Sequence, residues 1–192
     1  MQTLRELVTI HVGYQSRQGI PEDPGGQYSL LRAQDFDDNG NLVRSPMRFT
    51  PIERPEKYLL SNEDILLLAR GRVHFAFLVD AVISNLVGSN TFYVLRVTDK
   101  KLVTSGYLAW WLNQKSAQAY FSQQQGMSTA PFISVAALSK CPVLVPPIVT
   151  QQRINDLAKL TRREKNLNSK LTEQKEILIQ ETCRRAVMAQ SN

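Results

Sequence analysis

The sequence predicts an α/β fold: a mixed-sheet domain over residues 1–149, followed by one long C-terminal helix of coiled-coil type over residues 150–192. Three observations carry that expectation. β-Branched and aromatic runs alternate with turn residues through the first 149 positions, with one helical stretch among them. Pro146-Pro147 closes that segment, because proline favours extended backbone and biases the residue before it away from helix. From Gln151 to Gln190 there is then no proline and no glycine. A helix of roughly 40 residues is about 60 Å long at 1.5 Å per residue.

Each element follows from local chemistry. Leu4 to Val12 begins helix-like and passes into strand alternation, and Tyr28 to Arg32 reads as a short strand. Gly25-Gly26, beside Pro21 and Pro24, and the run Asp35 to Asn41 are turns; Asn39-Gly40 tolerates positive φ. Tyr58-Leu-Leu60 and Asp64 to Ala69 are apolar enough for buried strands. Val73 to Ile83 and Thr91 to Val97 also favour strands. Gly106 to Phe121 predicts one helix with Leu108, Trp111, Leu112, Ala119 and Tyr120 on an apolar face. Ile133 and Val143 to Val145 predict a further strand pair, and Thr150 is the expected N-cap of the long helix. Along that helix, Leu157, Leu160, Leu167, Leu171 and Leu178 fall at heptad a and d positions, with Glu164 and Gln174 as polar breaks. Such a seam suits pairing with another helix, and polar breaks fix register. A helix of this length cannot lie along a 150-residue domain in full, so part of it is expected to project.

Composition narrows the class. With 43% hydrophobic and 21% charged residues, 192 positions suffice for a core without disulfide or metal staples. No apolar run approaches the roughly 20 residues that cross a bilayer, and the N-terminus lacks a secretory pattern. Cys141 and Cys183 make neither a disulfide framework nor a zinc spacing, so both are expected as small, semi-buried residues in a cytoplasmic protein. The net charge of +6 permits a polyanionic partner without requiring one. Residues 1–149 hold 14 basic and 12 acidic side chains; the helix holds 9 and 5, which a solvated face also explains.

Catalytic motifs are missing. There is no glycine-rich phosphate loop and no nucleophile elbow. His11 and His74 lack companion ligands and read as surface or half-buried side chains. Glu63 and Asp64 are not followed by the Glu-x-Lys pair of a metal-dependent nuclease. No catalytic residue, metal or cofactor is therefore expected. Polar loop residues remain: Arg17-Gln18, Arg32 with Gln34, Arg70-Gly-Arg72, Asn85 with Ser89 and Asn90, and Gln123 to Thr129. Surface loops are polar in any protein. Yet Arg can chelate guanine, Asn or Gln adenine, and Ser or Thr can hold phosphates.

The order of these pieces resembles the DNA-specificity (S) subunits of type I restriction-modification systems. Leu4-Arg-Glu-Leu-Val-Thr-Ile-His-Val-Gly13 is similar to the family's entry into a glycine turn, and Tyr28-Ser-Leu-Leu-Arg-Ala-Gln-Asp-Phe-Asp-Asp-Asn-Gly40 to its strand, Arg, Asp, Gly segment. Leu60-Ser-Asn-Glu-Asp-Ile-Leu-Leu-Leu-Ala-Arg-Gly71 resembles its Asp-Ile-Leu to Arg-Gly element, Tyr107-Leu-Ala-Trp-Trp-Leu-Asn113 its helix, and Gln125-Gly-Met-Ser-Thr-Ala130 its Gly-Ser/Thr loop. Val143-Leu-Val-Pro-Pro-Ile-Val-Thr-Gln-Gln-Arg-Ile154 resembles the family's Pro-Pro-x-x-x-Gln-x-x-Ile at the entry to a spacer helix, with Thr150 where a carboxylate is common. The likeness covers nearly the whole chain, as one target-recognition domain and one spacer helix where a full S subunit has two of each. That points to a half-subunit, a fragment or the specificity protein of a related system.

The resemblance implies a non-catalytic subunit that binds double-stranded DNA at a bipartite target. It also implies recruitment of an adenine-specific methyltransferase subunit and a restriction/translocase subunit. Candidate DNA-binding residues are Arg17, Arg32, Gln34, Arg70, Arg72, Asn90, Ser128 and Thr129. Candidate dimerisation residues are Leu157, Leu160, Leu167, Leu171 and Leu178, in an antiparallel homodimer that reads an interrupted palindrome. The alternative is a dimeric scaffold protein without DNA specificity.

Overall fold

A computed structural model describes residues 1–16, 19–37, 40–51, 55–71, 73–79, 83–124 and 131–189. The strands are β1 (Gln2–Thr3), β2 (Val8–Val12), β3 (Tyr28–Leu31), β4 (Met47–Phe49), β5 (Ile65–Leu68), β6 (Ala76–Leu78), β7 (Leu86–Gly88) and β8 (Phe92–Val97). Helices α1 (Ser105–Leu112), α2 (Lys115–Gln124) and α3 (Val135–Ser139) follow, then β9 (Pro142–Val143) and α4 (Ile148–Ala189). The chain divides into two units, Met1–Gln152 and Arg153–Asn192.

Within the first unit, β2-β8-β5-β6 form an antiparallel sheet and β4-β3-β7 a mixed one, with β3 parallel to β7; β1 pairs with β9. β5 is a run of four apolar residues, and all four are buried because the strand has sheet neighbours on both sides and packing on both faces. In the mixed sheet the strand period of two sorts side chains between two cores. Leu31 and Leu86 join Phe36, Leu66, Phe75 and Phe92 in one; Leu30 and Val87 join Tyr14, Met47 and Phe49 in the other. Each fully buried side chain of this size contributes about 1.5–3 kcal/mol.

Several sequence expectations change in position. Gly106 to Phe121 is not one helix: α1 ends at Asn113, whose side chain leaves the helical pattern to bond β6, donating to Ala76 O (2.8 Å) and accepting from Ala76 N (2.9 Å). The break shifts the helical phase, so Ala117 and Phe121 are buried while Ala119 is exposed. Tyr58 to Leu60 is no strand. A turn from Pro55 takes up Tyr58 N, and Leu59 makes a single bridge to Val87. Of the strand expected over Val73 to Ile83, the described residues form β6 alone, and residues 80–82 lie outside the described residues. Val143 pairs with Gln2, while Ile133 N donates to Ala69 O, so the expected pair between them does not form. The cysteines are not both semi-buried. Cys141 is fully buried and its thiol is pushed up to about 12 by burial, whereas Cys183 is exposed. His74 is also fully buried, with Nδ1 2.8 Å from Leu68 O, and burial lowers its pKa.

α4 is a continuous helix of 42 residues. It starts at Ile148, ahead of the expected Thr150 cap, because Pro147 already supplies the carbonyl that Thr150 N (2.9 Å) and Gln151 N (3.1 Å) bond, and proline needs no donor there. Gln151 is fully buried. Its amide accepts from Thr104 N (2.9 Å) and donates to Leu102 O (2.9 Å) and Pro146 O (2.8 Å). This is what the Pro-Pro-x-x-x-Gln sequence does: the prolines open the helix and the glutamine ties its first turn to the loop ahead of α1. No helix among the described residues is long and apolar enough to cross a membrane.

Candidate nucleic-acid interface

Described segments next to several of the polar loops picked out by sequence meet at one edge of the Met1–Gln152 unit, around Ser89, whereas Asn85 lies at the other end of β7. The register explains it. β3 runs parallel to β7 and ends with Leu31 opposite Gly88, so Arg32 emerges beside Ser89, whose N–H bonds Leu31 O (2.9 Å). Leaving β2, Gly13 N bonds Phe92 O (3.1 Å) and Tyr14 N bonds Gly88 O (2.7 Å), which brings the segment before Arg17 to the same place. Gly13 suits that approach: a Cβ there would lie 2.1 Å from Ser89 O. Leaving β5, Ala69 N bonds Thr91 O (2.8 Å). Finally Ile133 N bonds Ala69 O (3.0 Å), Gly71 N bonds Pro131 O (2.9 Å), and Arg70 bridges Phe132. The described flanks of the 70–72 and 125–130 segments are therefore stitched together.

The candidate side chains fare differently. Arg32 is held by Asp35, which is fully buried: Nη2 to Oδ1 is 3.0 Å and the Arg32 backbone N–H bonds Oδ2 at 2.8 Å. Its Nη1 also lies 3.0 Å from Met47 Sδ. Gln34 is exposed beside that guanidinium, and with its oxygen turned inward accepts from both terminal nitrogens at 3.3 Å. Asn90 is half-buried in the β7–β8 turn, next to a Ser89 Oγ to Thr91 Oγ1 bond of 2.7 Å. Arg70 is exposed, and its guanidinium has no hydrogen-bond or ion-pair partner among the described residues. Its charge still reaches Tyr93, whose hydroxyl is pushed up by burial while Arg70 acts in the opposite sense. Arg17, Arg72, Ser128 and Thr129 lie outside the described residues.

The opposite end of β5 and β8 has another character. Asp64 takes Arg96 Nε on both oxygens (3.1 and 3.2 Å) and Arg96 Nη2 on Oδ2 (3.1 Å), and Nη2 also bonds Leu59 O (2.7 Å). Lys100 pairs with Glu63. These charges are internally matched, so Glu63 and Asp64 serve the fold. Among the described residues no three His, Cys, Asp or Glu side chains gather in metal-binding fashion. Sequence reasoning missed Asp35, whose buried carboxylate fixes Arg32, and Phe132, a 54% exposed aromatic at the candidate edge. The spacing Arg32-x-x-Asp35 was available as a clue, whereas Phe132 becomes notable only through its bridge to Arg70.

On α4 the five seam leucines are between 53% and 66% exposed. Ile177, Ile179, Val187 and Met188 are exposed as well.

Comparison with known proteins adds identity to this geometry. A family model described as the type I restriction modification DNA specificity domain matches residues 1–178. No curated protein matches the sequence. Among solved structures, the type I restriction-modification system S subunit from M. genitalium is 19% identical with a TM-score of 0.61, over 88% of this chain and 40% of that one. The HsdS subunit from Thermoanaerobacter tengcongensis is 16% identical with a TM-score of 0.63, over 92% and 46%. A chain from a structure described as the basis of complex assembly and conformational transition of the type I R-M system gives 17% and 0.59, over 84% and 37%. The chain thus spans less than half the length of each. The sequence match over residues 1–178 and the shared arrangement of mixed sheets leading into one long helix lead to one conclusion: the chain belongs to the type I restriction-modification DNA specificity family.

Proposed function

We propose that this chain is a non-catalytic, sequence-specific DNA-recognition module that directs the methyltransferase and restriction subunits of a type I restriction-modification system to a bipartite target. The observation that carries the reading is the meeting of five sequence-distant loops at the Ser89 edge, with the unpaired cation of Arg70 among them. Arg32, Gln34 and Asn90 belong to the same edge, and Arg17, Arg72, Ser128 and Thr129 are the further candidates by residue type. The 1–149 segment is the recognition domain and the 150–192 helix the spacer. The five seam leucines pair with those of a second copy, antiparallel, so that twofold symmetry presents two identical heads to two inverted half-sites. The flank of the helix pair receives the partner subunits.

Selection of bound duplexes from a random pool tests the proposal. An interrupted palindrome is expected, with binding that weakens steeply as salt rises, because phosphate contacts release counterions. Dimerisation with no enriched sequence and no salt-sensitive DNA binding would leave the scaffold alternative. On the enriched duplex, Arg70→Ala is expected to cost about 1–3 kcal/mol and to relax the preference at one guanine. A loss equal on all duplexes would assign Arg70 to phosphate instead.

A further inference from the structure

Phe132 is presented at the recognition edge in a way that ordinary packing does not explain. It is 54% exposed, yet the backbone around it is fixed. Ile133 N bonds Ala69 O, Gly71 N bonds Pro131 O, and the Tyr93 hydroxyl bonds Ile133 O at 2.8 Å. The isolated antiparallel bridge pairs Phe132 with Arg70. Residues directly opposite in such a pair project from the same face, with Cβ atoms about 4.5–5.5 Å apart. An apolar ring and an unpaired guanidinium therefore stand side by side, facing solvent.

That pairing has a counterpart in duplex DNA. In the major groove guanine offers two acceptors to an arginine, and thymine offers a methyl group to an apolar side chain. Successive base pairs are about 3.4 Å apart along the axis, comparable with the side-chain separation across the bridge. We infer that Phe132 is a specificity-determining residue that contacts a thymine methyl on a base pair neighbouring the guanine read by Arg70. This rests on the DNA-recognition reading above. The ring is 54% exposed and belongs to neither of the two core clusters described above.

The test uses the full chain and the duplex it enriches. Each thymine is replaced in turn by deoxyuridine, which removes the methyl alone. Wild type is expected to lose roughly tenfold in affinity at one thymine adjoining the guanine that Arg70 reads, the scale of one small apolar contact. Phe132→Ala is expected to lose a similar factor on the thymine duplex and to become indifferent to deoxyuridine there. Phe132→Leu falls between, and Arg70→Ala keeps its methyl dependence. Thermal melting of Phe132→Ala matches wild type, because the ring is exposed. If wild type shows no methyl dependence beside that guanine, or Phe132→Ala retains it, the inference is overturned while DNA recognition stands. If no sequence is enriched, both readings fall together. A wedge that unstacks bases would appear as a Phe132→Ala loss without deoxyuridine sensitivity, and also overturns the inference.

Discussion

Gln151→Ala lowers the stability of the Met1–Gln152 unit by about 3 kcal/mol, since it strips partners from three backbone groups and each buried polar group left unsatisfied costs about 1–3 kcal/mol. The groups are Thr104 N, Leu102 O and Pro146 O. Gln151 itself has zero exposure. Urea unfolding followed by the fluorescence of Trp110 and Trp111, on α1 beside Thr104, reads the change directly. A midpoint unaltered by the substitution would show that these bonds do not hold the helix entry. By contrast, the neighbouring Gln152 is exposed, and Gln152→Ala is the control expected to be silent.

The second large effect concerns assembly. Leu160→Asp with Leu167→Asp puts two carboxylates into the apolar seam of α4, at positions where leucine is now 63% and 58% exposed. Side chains so exposed contribute little to the fold of one chain, so the variant should melt as wild type does. In a paired seam, burying those charges without partners is prohibitive. The variant is therefore expected to sediment as a monomer. Two linked heads gain an effective concentration that a single head lacks, so affinity for the two-half-site duplex should fall by about 10²–10⁴. Affinity for a single half-site should not change. A variant that still dimerises would place the contact elsewhere, with the exposed Ile177, Ile179, Val187 and Met188 as the next surface to change.

What could be read from the sequence, and what could not, follows from the range of the forces involved. α4, β3, β5 and β8 were legible because their patterns are local: a stretch free of proline and glycine, and dense apolar or β-branched runs. The split between α1 and α2 was not, because the residue that breaks the helix, Asn113, bonds a strand 37 positions away. β1 and β9 are two residues each, too short for any period, and pair across the length of the domain. The candidate edge was half legible. Residue types named the loops, but the β3–β7 parallel register and the Ala69 bonds, which bring them together, are tertiary. Residue type alone makes Arg32 a candidate, and its pairing with Asp35, buried by the turn that follows β3, is set by the folded turn. Gln151 was visible as a motif residue, and its role became clear only with the Leu102 to Thr104 loop in place.

The central claim is that one recognition head is carried on a helix that pairs with its copy and sets the distance between half-sites. Deleting one heptad, Thr161 to Leu167, keeps the a/d phase and removes about 10 Å of helix at 1.5 Å per residue. The measurement is the spacer length in the palindrome enriched by this variant against that enriched by the intact chain. At about 3.4 Å per base pair the spacer should shorten by about three base pairs, with the half-site sequences unchanged. A spacer of the same length in both selections, or a single uninterrupted site bound by a monomer, would contradict the account.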